Sequence, residues 1–150
     1  MDPNILACQD WRDLLGQLAD SGASVNINQG TDIRIMDEAR AEALNSVRLR
    51  NIHFAWDRPE QDLTEKLKMF AGIARRKFSG AYATVYVLTN FNSTMEQNLF
   101  RIYTLRDLGY DPYVMVYEKW NAPKEIKRLQ RWVNNRFIFK RCRRFEDYAP

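Results

Sequence analysis

A chain of 150 residues has the length of one folded domain and can bury a substantial core. Hydrophobic residues make up 45% of the sequence and charged residues 28%, which excludes a disordered chain, and its apolar runs are too short to cross a bilayer. The formal charge of +4 is unevenly distributed: between Lys124 and Arg144, nine cations are opposed only by Glu125. Positive potential is therefore concentrated at the C-terminal end.

The two cysteines, Cys8 and Cys142, stand near opposite ends of the chain. Met1 to Asn4 carries no basic region followed by an apolar one, so no secretory signal is visible. Thiols in a chain without export features are typically reduced. We therefore expect a cytoplasmic protein with no membrane partner.

Helical and extended patterns alternate along the chain. Apolar residues at helical spacing predict five helices, which begin close to Asp10, Asp37, Thr64, Ser93 and Pro123. The run Ser93-Thr94-Met95-Glu96 has the capping-box pattern, so Ser93 is expected to cap the fourth helix. Runs rich in β-branched and aromatic residues predict four strands, over Ser24 to Asn28, Asn51 to Trp56, Ala83 to Leu88 and Tyr113 to Tyr117.

Strands separated by helices cannot pair as hairpins, so these four should run parallel with right-handed crossovers. Two α/β architectures remain: a doubly wound sheet, or part of a (βα) barrel. In the second strand His53, Ala55 and Asp57 share one face, opposite the large apolar residues, and Asn26 and Asn28 oppose their apolar neighbours in the first. The strands of a sheet that helices cover on both sides usually consist of apolar residues throughout. We therefore predict a partial, half-open barrel with a polar interior.

In either architecture the functional face lies at the carboxyl ends of the strands. Polar residues are dense in the segments that follow the four strands: Asn28-Gln29-Gly30-Thr31-Asp32-Ile33-Arg34, Asp57-Arg58, Thr89-Asn90-Phe91-Asn92 and Glu118-Lys119-Trp120-Asn121. Amides and fixed charges suit a polar ligand that carries amino, carboxylate and ribose groups, because each supplies directed hydrogen bonds.

Simpler interpretations exist for the same residues. Asp32 and Arg34 can form a local ion pair, and Asn90 and Asn92 can be loop residues that cap the helix that follows them. His53 can be a buried histidine satisfied by hydrogen bonds. One histidine and two distant cysteines cannot by themselves build a zinc or iron–sulfur site. Neither a glycine-rich phosphate loop nor a nucleophile elbow is present, so the residues indicate a ligand site without a reaction centre.

The order and spacing of several motifs resemble one group of bacterial and phage-associated radical S-adenosylmethionine proteins. The motifs are Asp2-Pro3-Asn4-Ile5-Leu6, Asn28-Gln29-Gly30-Thr31-Asp32-Ile33-Arg34, Asn51-Ile52-His53-Phe54-Ala55-Trp56-Asp57, Tyr86-Val87-Leu88-Thr89-Asn90-Phe91-Asn92, Leu108-Gly109-Tyr110-Asp111-Pro112-Tyr113 and Arg131-Trp132-Val133-Asn134-Asn135-Arg136. The resemblance covers essentially the whole chain. It implies a partial (βα)₆ barrel, of which residues 1–136 would form part, followed by a basic C-terminal tail over 137–150.

In that family a Cys-x₃-Cys-x₂-Cys loop holds a [4Fe–4S] cluster, which reduces S-adenosylmethionine to a 5′-deoxyadenosyl radical. This sequence departs from the pattern, because the loop and the first two strands are missing and Cys8 lies beyond the third. The resemblance thus implies the C-terminal two-thirds of such a protein, inactive alone, either as a truncated product or as the partner of a separate N-terminal fragment. The residues that it places at the cofactor or substrate are Asn4, Asn28, Gln29, Asp32, Arg34, Trp56, Asp57 and Asn90.

A second hypothesis is a nucleic-acid-binding module. In the basic C-terminal stretch, cations that could track phosphates are interleaved with aromatic rings that could stack on bases, namely Trp132, Phe137, Phe139 and Phe145. The alternative is a solvated basic helix whose aromatic side chains pack on the barrel. An unclosed barrel also leaves a sheet edge unpaired near Val25 to Asn28, so we expect self-association there, or pairing with a chain that supplies the missing strands.

Overall fold

Helices and strands alternate along the chain, and a computed structural model describes residues 4–74 and 82–150. The helices are α1 (Trp11–Ser21), α2 (Glu38–Ser46), α3 (Thr64–Ile73), α4 (Met95–Asp107), α5 (Lys124–Asn134) and α6 (Arg136–Arg141). The strands are β1 (Val25–Thr31), β2 (Leu49–Trp56), β3 (Ala83–Thr89) and β4 (Asp111–Val116). Short 3₁₀ turns occupy Ile5–Ala7, Ile33–Ile35 and Lys119–Asn121. Asp2 and Pro3, part of one motif above, lie outside the described residues.

The four strands form one sheet in the order β1-β2-β3-β4, and every neighbouring pair is parallel. Each strand therefore lies beside the one that precedes it along the chain. Right-handed crossovers in this order place the connecting helices on the same side of the sheet. The prediction of an α/β fold with parallel βα units is confirmed.

Alternation in β2 divides the sheet into a helix-covered face and an open face. Ile52, Phe54 and Trp56 are buried among the helices, and the Phe54 ring meets that of Phe70 in α3 edge to face at 5.1 Å. Residues on the other face of β2–β4 define what we call the open face: His53, Ala55, Thr84, Tyr86, Tyr113 and Met115. Tyr113 and Met115 are exposed there, whereas Thr84 is buried, so the connecting helices leave part of this face uncovered.

A second core lies beside β4 and includes residues from the C-terminal segment. Its fully buried centre is Trp132 in α5, whose ring contacts Phe139 at 4.9 Å and Phe145 at 5.5 Å between centroids. Tyr148 is buried in the same cluster. Residues 137–150, assigned to a tail from the sequence, thus contribute three aromatic side chains to the interior.

The capping residue of α4 differs from the expectation. Thr94, not Ser93, accepts the hydrogen bond from the Gln97 amide, and the Gln97 side chain accepts from the Thr94 amide, which completes the capping box one residue later. Ser93 instead donates to the side chain of the buried Asn98 at 2.6 Å. The prediction for Ser93 is wrong because two overlapping sequences, Ser-x-x-Glu and Thr-x-x-Gln, fit the same pattern.

Side chains protect the outer edge of β4. The Asn134 amide group accepts from the Val114 backbone N–H at 2.8 Å and donates to its carbonyl at 3.1 Å, as a neighbouring strand would. Backbone groups of alternate strand residues point to the same side, so Pro112, which lacks an N–H, also faces this edge. The sheet therefore cannot readily extend beyond β4.

Among residues 4–74 and 82–150, no helix combines the length and the apolar composition that crossing a membrane requires.

Candidate functional site

A polar cleft lies where β1 and β2 end, and it brings together three of the residues selected from the sequence. Asp32, Arg34 and Asp57 line a cavity of about 340 Å³, together with Gly30 and Ala55. The Ala55 methyl group is 3.6 Å from the position that a Gly30 side chain would occupy, so the strands approach closely at this point. The carboxyl ends of parallel strands meet at one sheet edge, which is why residues 25 positions apart become neighbours.

Asp32 and Arg34 form a two-point ion pair within the cleft. The guanidinium donates from Nε to Oδ1 at 2.8 Å and from Nη2 to Oδ2 at 2.7 Å, and the Arg34 backbone N–H donates to Oδ1 at 2.9 Å. These side-chain hydrogen bonds from Arg34 lower the pKa of Asp32 despite its partial burial. The local pair is present, and it leaves Nη1 of Arg34 outside the pairing.

Asp57 supplies a second carboxylate with a different environment. Neighbouring residues displace water from it, so its pKa is raised, and the positive charge of Arg101 offsets part of this effect. The cleft thus holds Asp32, which Arg34 neutralises, and Asp57, which forms no salt bridge among the described residues although Arg58 also lines the cleft. An ammonium or ribose hydroxyl group is the natural complement of the second.

Arg101 holds together the strand ends beside this cleft, and it was not predicted from the sequence. It lies in α4 with 1% of its surface exposed, and it donates to the Trp56 carbonyl at 2.6 Å and the Leu88 carbonyl at 3.0 Å. A third bond, to the Asn98 side chain, measures 2.7 Å. Burial lowers the pKa of Arg101 to about 10, although Asp57 and Glu60 raise it. One buried cation therefore ties together the carboxyl ends of β2 and β3.

The remaining candidates lie outside the cleft. The Trp56 indole is buried on the helix-covered face, where Nε1 donates to the Gln61 carbonyl at 2.8 Å. Asn4 caps the first 3₁₀ turn, and Asn28 and Gln29 are exposed along β1. Asn90 adopts a positive φ of 62° and donates to the Tyr117 carbonyl at 2.9 Å. Asn90 thus stabilises the ends of β3 and β4, and the interpretation of Asn90 as a cap of the following helix is wrong, because Thr94 caps α4.

A larger cavity of about 540 Å³ opens on the other half of the open face, between β2–β4 and α6. Its floor includes His53, whose Nδ1 lies 2.6 Å from the Tyr86 hydroxyl and 3.1 Å from the Asn28 carbonyl. His53 is half-buried, not buried as the sequence interpretation had it, and its Nδ1 either donates to the carbonyl or accepts from the hydroxyl, depending on the tautomer.

The chain's thiols do not fit an iron–sulfur cluster. Cys8 follows the first 3₁₀ turn, whereas Cys142 packs against the second core. Three or more cysteines normally hold such a cluster. Among the described residues, no group of three or more histidine, cysteine, aspartate or glutamate side chains is placed to hold a metal ion.

Burial also limits which aromatic residues can contact a nucleic acid. Trp132, Phe139 and Phe145 lie in the second core, whereas Phe137 is 88% exposed. Stacking on bases in the basic segment would therefore depend on Phe137 alone among the four rings selected from the sequence.

Comparisons with protein-family models, with curated proteins and with solved structures found no match to this chain.

Proposed function

We propose that this chain forms the C-terminal two-thirds of a radical S-adenosylmethionine barrel and binds S-adenosylmethionine in the cleft between β1 and β2. The proposal rests on one observation: Asp32, Arg34 and Asp57 line the same cleft at the carboxyl ends of two parallel strands. The sequential strand order and the open face support a half-open barrel, because helices then lie outside and the ligand inside.

The carboxylate and the ammonium group of the ligand each have a complement in the cleft. Nη1 of Arg34, which takes no part in the Asp32 pair, is available to donate to the ligand's carboxylate. The Asp57 carboxylate is available to accept from the ammonium or ribose hydroxyl groups. In this proposal Asp32 is a positioning residue, since it holds the guanidinium of Arg34 in one orientation.

Binding without turnover is the expected behaviour of the isolated chain. Reductive cleavage of the sulfonium needs an electron from a cluster, and the two thiols of this chain do not fit one. A separate chain that carries the cysteine loop would have to supply the reductant. Anaerobic reconstitution with iron and sulfide, followed by an assay for 5′-deoxyadenosine, checks this. Turnover by the chain alone would contradict the proposed inactivity.

Arg34→Ala tests the ligand site directly. Loss of a charge-assisted hydrogen bond should weaken S-adenosylmethionine binding about tenfold or more, measured by isothermal titration calorimetry. The matched control is Arg131→Ala, an exposed arginine of α5, which should leave the affinity unchanged. Equal affinities of the Arg34 variant and the original chain would exclude this binding mode.

The β1 edge should mediate association of the protein with itself or with a fragment that supplies further strands. Among residues 4–74 and 82–150, no strand pairs with the outer edge of β1. Size-exclusion chromatography with light scattering should show oligomers at micromolar concentration. Asn26→Lys combined with Asn28→Lys should shift them to monomer, because exposed edge lysines oppose strand pairing.

The control for that experiment adds the same charge elsewhere, through Gln9→Lys and Gln17→Lys, both at exposed positions. This control should still associate. A clean monomer of the unaltered chain across the concentration range would mean that the β1 edge is protected.

Nucleic-acid binding remains the second candidate. The cations between Lys124 and Arg144 support it, whereas the burial of Trp132, Phe139 and Phe145 removes most of the stacking surface proposed for it.

A further inference from the structure

The 540 Å³ cavity on the open face has the size and lining of a small-molecule site. It is distinct from the cleft proposed above, because it is bordered by Thr84 and Asp111, which pair at the amino-terminal ends of β3 and β4. The two sites share no lining residue, although they are neighbours: Ala55 of the cleft pairs with Tyr86 of the cavity across β2 and β3.

Three aromatic rings line up across the floor of the cavity. His53 and Tyr86 meet edge to face, with centroids 5.3 Å apart and planes at 89°, and Tyr86 meets Tyr113 at 5.9 Å and 87°. Their contact with one another fixes the orientation of all three. Because Tyr113 is 43% exposed, this row of rings offers a preformed surface to a planar aromatic group.

Positive charge borders the same floor from α6. Arg136 pairs with Asp111 through Nη2 and Oδ2 at 3.2 Å, and Lys140 lies one helical turn further along. Lys140 is close enough to lower the pKa of the Asp111 carboxyl, although burial raises that pKa on balance. Two cations and one carboxylate leave the cavity with a net positive charge, which favours an anionic ligand.

We propose that this cavity binds a small planar aromatic anion, with its ring against Tyr86 and Tyr113 and its anionic group beside Lys140 and Arg136. Ring stacking alone would accept any flat apolar molecule, whereas the cations select an anionic one. The proposal is independent of S-adenosylmethionine binding, since no residue of the cleft takes part.

His53 makes the test simple because it is the only histidine of the chain, so its imidazole Hε1 gives a single proton NMR signal. At constant pH, 4-hydroxybenzoate should shift this signal in a saturable way at millimolar concentration. The neutral 4-hydroxybenzamide should bind roughly tenfold more weakly, because it lacks the charge. Cyclohexanecarboxylate, which keeps the charge and loses the aromatic ring, should also bind more weakly.

Two neighbouring cations of α6 provide a matched pair of variants. Lys140→Gln should weaken 4-hydroxybenzoate binding about threefold to fivefold, as expected for loss of one solvent-accessible ion pair. Arg141→Gln removes an exposed charge that does not border the cavity, and it should leave binding unchanged. No saturable shift, or equal affinity of the two variants, would overturn the proposal.

Discussion

Arg101→Met is expected to lower the free energy of unfolding by about 3–5 kcal/mol, although Arg101 lies in α4 and not in the sheet that it supports. Methionine fills a similar volume but donates no hydrogen bond. The carbonyls of Trp56 and Leu88, at the carboxyl ends of β2 and β3, therefore lose their donor. A buried polar group without a partner costs about 1–3 kcal/mol each. The third hydrogen bond of Arg101, to the Asn98 side chain, is lost as well.

Urea unfolding followed by circular dichroism measures this change, with Arg131→Met as the matched control. Arg131 is exposed on α5, and its substitution should change the unfolding free energy by no more than about 0.5 kcal/mol. A loss below about 1 kcal/mol in the Arg101 variant would mean that other donors, such as water, satisfy both carbonyls. Removal of the charge should also raise the pKa of Asp57 further, because Arg101 lowers it in the intact chain.

Trp132→Ala should have a comparable effect on the second core, about 3–5 kcal/mol, because a large fully buried ring is removed. The indole contacts Phe139, Phe145 and Tyr103, the last at 6.0 Å between centroids. Its Nε1 also donates to the Cys142 carbonyl at 2.9 Å. These contacts attach α6 and the residues after it to α5.

Loss of that attachment should be visible as faster tryptic cleavage after the arginines of 141–144, followed by mass spectrometry. Phe137→Ala is the matched control in the same segment, since that ring is 88% exposed and its removal should leave the cleavage rate unchanged. If the C-terminal segment stayed protected in the Trp132 variant, contacts other than the second core would have to hold it in place.

Much of the fold was predictable because each element carries its own local pattern. Gly22 ends α1 with a φ of 64°, a conformation that glycine adopts readily, and Asp37 caps α2 through the Arg40 amide. The alternation of Ile52 and His53 correctly separates the two faces of β2. What the sequence could not supply is α6, which has only six residues and is stabilised by a core formed from distant segments.

The candidate site was predictable in part for the same reason. Asp32, Arg34 and Asp57 follow strand ends, and parallel strands place such residues together. Trp56 follows the buried alternation of Ile52 and Phe54, which is why its ring lies in the core and not in the cleft. The sequence indicates Arg101 only weakly, as a cation beside Ile102 on the buried stripe of α4. Its role could not be predicted, because the carbonyls that it binds are 45 and 13 residues away along the chain.

The amide of Asn134 on the β4 edge has a consequence for the symmetry of any assembly. A sheet with two open edges can add copies at both ends and grow into a fibre. Here β4 is closed by Asn134, so association through strand edges has β1 as its remaining route among the described residues. Two copies joined at β1 about a two-fold axis would use up both open edges, and the assembly would stop at a dimer with an eight-stranded sheet.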